Sequence, residues 1–298
     1  MSQTVPTKKD IYFNFGPNES YFVKYGPQHR SSPGGFPRSC DRLVKDSGGS
    51  GKFDCVAWKT ESFFACSHSE YHINRNVAEA MPRDFESWMN KRALCPLRVT
   101  FGEPRGSWFA WMLHGDFIFG HNVPQGMWQA ARDVTKASTC IRIAAIGPND
   151  TWLLIWEDGT MISVLNNEYE DLKRKLAEHK VDDISWVALN PFRMGDYFLY
   201  VDKKKMATFQ VSEAFGMDLK SVLESQGIDT RELVFREQQV DKPRPSITSH
   251  FKNADFVGAA RSNIKIDGDA LLNAAASFIT TGLSVGTVLI GTATCNVM

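Results

Sequence analysis

The sequence predicts a mainly β fold with one short helix per repeat, arranged as a five-repeat propeller-like ring, the alternative being an open β/α solenoid. Three observations predict it. A polar or small residue followed by two bulky apolar ones recurs as Ser20-Tyr21-Phe22, Ser62-Phe63-Phe64, Ser107-Trp108-Phe109, Thr151-Trp152-Leu153 and Asp196-Tyr197-Phe198, at intervals of 42, 45, 44 and 45 residues. Self-similarity at such a period marks a chain built from stacked supersecondary units. The flanks recur with the anchor: a β-like run before it, a turn, and a helical pattern that closes the unit. Finally, the anchor strand is apolar on both faces. Trp152, Leu154 and Trp156 alternate with Leu153 and Ile155, which suits a small sheet stacked between like neighbours rather than a half-exposed meander.

The elements follow in order within each unit. A first strand is predicted at residues 11–15, 53–58, 97–101, 141–146 and 184–189. A turn leads from it to the anchor strand, as Gly16-Pro17-Asn18 in the first unit and Gly147-Pro148-Asn149 in the fourth. Gly, Pro and Asn each favour turn dihedrals for separate reasons. Residues 102–106 and the longer stretch from Asn190-Pro191 take that place in the third and fifth units, and the second unit lacks the motif. Third strands are predicted at 71–73, 117–119, 160–164 and 207–211. Three- and four-residue apolar spacing then predicts a helix around Phe85, Trp88 and Met89, around Met127 and Ala131, around Tyr169, Leu172 and Leu176, and around Phe215, Leu219 and Leu223. A further strand at 232–235 is the candidate to complete a ring.

The unit resembles a Gly-Pro-Asn-x-Ser-aromatic-Phe-Val repeat of uncharacterised fungal-type proteins, over roughly residues 11–235, with the first and fourth copies the best. That resemblance implies a propeller-like fold and no particular reaction. The Trp-Asp signature of the commonest propeller repeat is absent.

Composition narrows the function classes. Lys plus Arg is 34 and Asp plus Glu is 34, and a neutral chain lacks the basic excess that displaces counterions from nucleic acid. No nucleic-acid partner, cofactor or metal is expected. The segment 1–30 holds no signal-like apolar run, so the expected address is the cytoplasm, where the six cysteines stay reduced. Cys55, Cys66 and Cys140 fall in strand-like runs and read as small buried hydrophobes.

Several motif matches lack their structural context. Gly282-Leu283-Ser284-Val285-Gly286 fits a nucleophile elbow, but no His, Asp or Glu follows it. Residues 47–52 suggest a phosphate loop, yet Phe53 stands where a Mg²⁺-binding hydroxyl belongs. Cys66, His68 and His72 supply only three loosely spaced zinc ligands. The sequons at Asn18 and Asn149 both fall on the repeat's own turn. The anchor aromatics Tyr21, Phe63, Trp108, Trp152 and Tyr197 are the candidate ligand-stacking residues, with core packing as the competing role.

Residues 1–10 read as an N-terminal arm, 11–240 as the five-repeat domain, 241–269 as a Pro-containing linker, and 270–298 as an apolar tail. All 68 charged side chains lie before residue 270. The run 270–294 is long enough to cross a bilayer. The last four residues, Cys295-Asn296-Val297-Met298, resemble a prenylation box that would place a lipid on Cys295. The expected function is therefore a non-enzymatic repeat protein that binds a protein or glycan-like ligand and is tethered to a membrane by its tail. Two other classes stay open: an accessory biosynthetic enzyme using scattered groups such as His114, Asp116 and His121, and a signalling adaptor whose tail self-assembles.

Overall fold

The computed structural model describes residues 11–26, 28–31, 53–59, 62–67, 71–74, 81–91, 96–102, 106–112, 117–135, 139–231 and 233–236, all within one unit of the chain. The first sheet comprises β1 (Ile11–Gly16), β2 (Ser20–Tyr25) and β3 (Gln28–Ser31). The second comprises β4 (Cys55–Lys59), β5 (Ser62–Cys66) and β6 (Tyr71–Asn74), followed by α1 (Arg83–Asn90). The third comprises β7 (Arg98–Phe101), β8 (Trp108–Trp111) and β9 (Phe117–Phe119), followed by α2 (Gln125–Thr135). The fourth comprises β10 (Ile141–Ile146), β11 (Trp152–Trp156) and β12 (Met161–Val164), followed by α3 (Glu170–Ala177). The fifth contains β13 (Ile184–Leu189), β14 (Tyr197–Val201) and β15 (Met206–Ser212), followed by α4 (Glu213–Ser225) and then β16 (Val234–Arg236). The protein is thus mostly β, a set of small antiparallel sheets with few helices.

The recurrent turn explains why the hairpins repeat. Asn18 and Glu19 have φ of 53° and 57°, and Asn149 and Asp150 have 54° and 57°. Two successive left-handed residues make the hairpin turn whose twist matches its strands. Ser20 N–H donates to Pro17 O at 3.1 Å, and Ser20 Oγ donates to the same oxygen at 2.6 Å. Thr151 repeats both bonds onto Pro148 O, at 3.2 and 2.7 Å. The glycine that opens the motif is needed for space. A Cβ on Gly16 or Gly102 would collide with the Oγ of Ser20 or Ser107. The anchor hydroxyl therefore sits where a side chain at the end of the first strand would have been.

Both faces of the anchor strands are buried, as the apolar pattern requires. Trp152, Leu154 and Trp156 enter a core that also holds the first three units and one face of the fifth. Leu153 and Ile155 enter a second core, shared with Val187, Leu189 and Leu199 of the fifth unit. The first strands lie against one another in succession: β1 against β4, β4 against β7, β7 against β10, β10 against β13, and β13 against β1.

The strand after the last helix, β16, runs parallel to β15 and adds a fourth strand to the fifth sheet. The return from α4 dictates this, since Asp229 N–H donates to Lys205 O at 2.8 Å and Ala207 N–H donates to Asp229 O at 2.9 Å, laying the chain beside β15. The N-terminal arm, the linker and the tail lie outside the described residues.

Gly102→Ala is expected to destabilise the fold by ~1–3 kcal/mol, because the added methyl overpacks both Ser107 and Ile146. Urea denaturation of the variant against wild type checks it through the midpoint shift.

Candidate functional site

The anchor aromatics are the side chains that the sequence singles out. Tyr21, Phe63, Trp108, Trp152 and Tyr197 are exposed by only 0 to 3%. No ring among them offers a face to solvent for stacking a ligand. Trp108, Trp152 and Tyr197 are each covered by the helix of the unit before, and Tyr21 is covered by the helix of the fifth unit. Trp108 packs against Phe85 and Trp88 of α1, at centroid distances of 5.0 and 5.9 Å. Trp152 lies over Gly126 of α2, so closely that a Cβ there would stand 3.3 Å from its ring. Tyr197 donates its hydroxyl to Asp171 of α3. Tyr21 donates to Asp218 of α4 at 2.7 Å and meets Phe215 edge-on at 5.2 Å. The stretch before Phe63 that would hold the equivalent helix lies outside the described residues.

The aspartates are the part of this arrangement that the repeat pattern did not reveal. Asp171 precedes Leu172 and Asp218 precedes Leu219, each apolar residue being fully buried. Asp84 precedes Phe85 in α1 in the same way, and Gly126-Met127 takes that place in α2. An Asp before a core residue in three of the four described helices was the available signal. Burial, then the hydrogen bond and charge of Asp218, push the Tyr21 hydroxyl well above its ordinary value of 10.0. Burial and Asp171 do the same to Tyr197.

A second cluster gathers residues that do not repeat. Arg98, at the start of β7, places its guanidinium 5.0 Å from the Tyr12 ring centroid and 5.8 Å from that of Trp186. Tyr12 and Trp186 meet edge-on at 4.9 Å. Trp186 Nε1–H donates to Phe13 O at 2.7 Å, tying the fifth unit to the first. Tyr12 Oη donates to Val56 O at 2.7 Å and lies 3.4 Å from Cys55 Sγ. Cys55 and Cys66 are directly opposite in the β4–β5 register, and both are buried thiols. Four of the units therefore meet around Tyr12. Burial tends to raise the Cys55 thiol, but hydrogen bonding from Cys66, the Arg98 charge and the Tyr12 hydroxyl outweigh it and hold the thiol below its ordinary value. Burial and the neighbouring Cys55 push Tyr12 up.

Beside this cluster, β1, β7, β10 and β13 line a cavity of about 10 Å³. That is room for about one water, far below the ~300 Å³ of an ordinary small-molecule pocket.

The remaining candidates disperse. Cys295, Ser284, His68, His114, Asp116 and the 47–52 loop lie outside the described residues. His121 is exposed in the turn after β9. His72 packs edge-on against Phe53 at 5.8 Å, while Cys66 donates its thiol to Pro96 O. Among the described residues no cluster of three or more His, Cys, Asp or Glu could hold a metal ion. One cysteine departs from expectation: Cys140 is disulfide-bonded. Spacing in the sequence did not reveal the bond, because pairing depends on proximity in the fold. No known protein family and no curated protein matches the chain.

Tyr21 and Tyr197 keep their protons in the folded chain at pH values where the unfolded chain, with tyrosines at 10.0, loses them. The unfolded state then binds fewer protons, so this stabilisation is whole below pH 10 and is lost as pH rises beyond it. The thermal midpoint is expected to fall steeply above that pH. Tyr197→Phe should cost ~1–3 kcal/mol at neutral pH and flatten the alkaline slope. Thermal melts across the alkaline range read both.

Proposed function

We propose that the sheets close into a five-unit propeller-like ring, and that the ring is a non-enzymatic binding scaffold held at a membrane through its uncharged C-terminal run. The observation that carries the ring is the placement of α4. The last helix covers the first unit's anchor, Tyr21, as α3 covers Tyr197 of the next unit along. The unbroken succession of first-strand contacts, returning from β13 to β1, supports the same closure. So does the ion pair between Arg193 in the fifth unit and Glu19 in the first unit's turn, at 2.6 Å.

The binding reading rests on what the ring leaves outside. Its anchor aromatics are covered, and its cavity beside Tyr12 admits about one water. A protein partner engaging the outer surface fits this construction better than a glycan-like ligand stacked on the anchors. Exposed apolar side chains at Tyr71 on β6, Val164 on β12, Met217 on α4 and Phe235 on β16 are contact points among the described residues. The membrane reading rests on residues 270–294, which carry no charge over a length that spans a bilayer as a helix. Among the described residues no helix is long and apolar enough to cross. A ring at the membrane surface is the proposed arrangement.

Flotation with liposomes tests the tether. The full chain is expected to float, and a chain lacking 270–294 to remain in the dense fraction; equal behaviour of the two removes the tether. Cys295→Ser expressed in cells separates a lipid from the apolar run, because fractionation should change only if Cys295 is modified. A glycan array probed with the full chain is expected to stay blank, and a specific signal would favour the glycan-like ligand over a protein.

A further inference from the structure

We propose that Cys55 and Cys66 are a redox-active dithiol that a small hydroperoxide converts to a disulfide across β4 and β5. The geometry carries it. The two residues are Cα partners in an antiparallel pair, and such partners stand ~4.5–5.5 Å apart, inside the range a disulfide spans. Directly opposite positions bring the two side chains to the same place in the sheet, so the pairing itself sets sulfur near sulfur. Cys55 Sγ is also 3.4 Å from the Tyr12 hydroxyl, and Arg98 places its positive charge in the same cluster. These partners favour the thiolate, the form that attacks peroxide.

The chemistry balances with one hydroperoxide as oxidant. Cys55 thiolate attacks a peroxide oxygen, the O–O bond breaks, and the departing hydroxide takes a proton to become water, or an alcohol from an organic peroxide. Cys55 is then a sulfenic acid. The Cys66 sulfur attacks the Cys55 sulfur, the S–O bond breaks, and the leaving hydroxide takes the Cys66 proton. Two thiols and one hydroperoxide become a disulfide and two waters, or one water and an alcohol. Reversal requires a dithiol or glutathione-class reductant.

Oxidation also changes contacts between units. In the thiol state Cys55 Sγ donates to Val99 O at 3.9 Å, and Cys66 Sγ donates to Pro96 O at 3.3 Å, both reaching the third unit from the second. A disulfide has no S–H to give, so both links disappear.

The test exposes the folded full chain to graded hydrogen peroxide, quenches it, unfolds it with an alkylating reagent, and maps peptides by mass spectrometry. Met217, 54% exposed, serves as the internal dosimeter through its sulfoxide. The expected result is a cross-linked peptide joining Cys55 to Cys66, formed at doses that leave most Met217 intact and reversed by dithiothreitol. Full alkylation of both cysteines at doses that oxidise Met217 would overturn the proposal, as would a Cys55 disulfide to any other cysteine. In folded Cys66→Ser, Cys55 should stop at a sulfenic acid that dimedone traps; absence of the adduct counts against Cys55 as the attacking thiol. The wild-type measurement stands even where that variant does not fold.

Discussion

The packing of one unit's aromatic beneath the helix of the unit before it is the constraint on which the rest of the structure depends. Trp108, Trp152 and Tyr197 are each buried this way, and Tyr21 is buried beneath α4 of the fifth unit. An apolar side chain is worth roughly 1.5–3 kcal/mol when taken out of water, and the two tyrosines add a charge-assisted hydrogen bond to an aspartate. No unit can gain this from its own strands, so a single unit is not a stable object. Stability in such an array is shared between neighbours. An array with ends would leave one anchor and one helix uncovered, and the proposed closure would pair α4 with Tyr21.

Much of this was legible because the repeat is written in residues that must be alike. The first strands of the fourth and fifth units fall at the residues that the alternation marks, Ile141–Ile146 and Ile184–Leu189. The paired left-handed residues of the Gly-Pro-Asn turn, and the glycine that makes room for the anchor hydroxyl, follow from local chemistry. β3 was not legible, since Gln28–Ser31 has no apolar alternation and forms by pairing with β2. Nor was the place of β16, because a short apolar run carries no information about which sheet it joins. The aspartates that receive the tyrosine hydroxyls were hidden on the helix surface pattern, where an acidic residue ordinarily reads as solvated.

The non-repeating residues explain the rest. Identical bulky side chains cannot all meet at one place, because interiors are packed to crystal density. Around Tyr12 the units therefore differ: a tyrosine from the first, thiols from the second, Arg98 from the third and Trp186 from the fifth. Searching for what the copies share passes over these positions. The unusual electrostatics of Cys55 arise there, from an arginine and a tyrosine that are distant in sequence and adjacent in space.

Ring closure is the central claim, and two equivalent pairs in the same chain allow a direct measurement. Double-mutant cycles with Tyr→Phe and Asp→Asn can be run on Tyr197–Asp171, which joins consecutive units, and on Tyr21–Asp218, which joins the last to the first. Closure predicts coupling energies of similar size, on the order of 1 kcal/mol or more, for both pairs. Coupling at Tyr197–Asp171 with none at Tyr21–Asp218 would mean an open array, and would contradict the account.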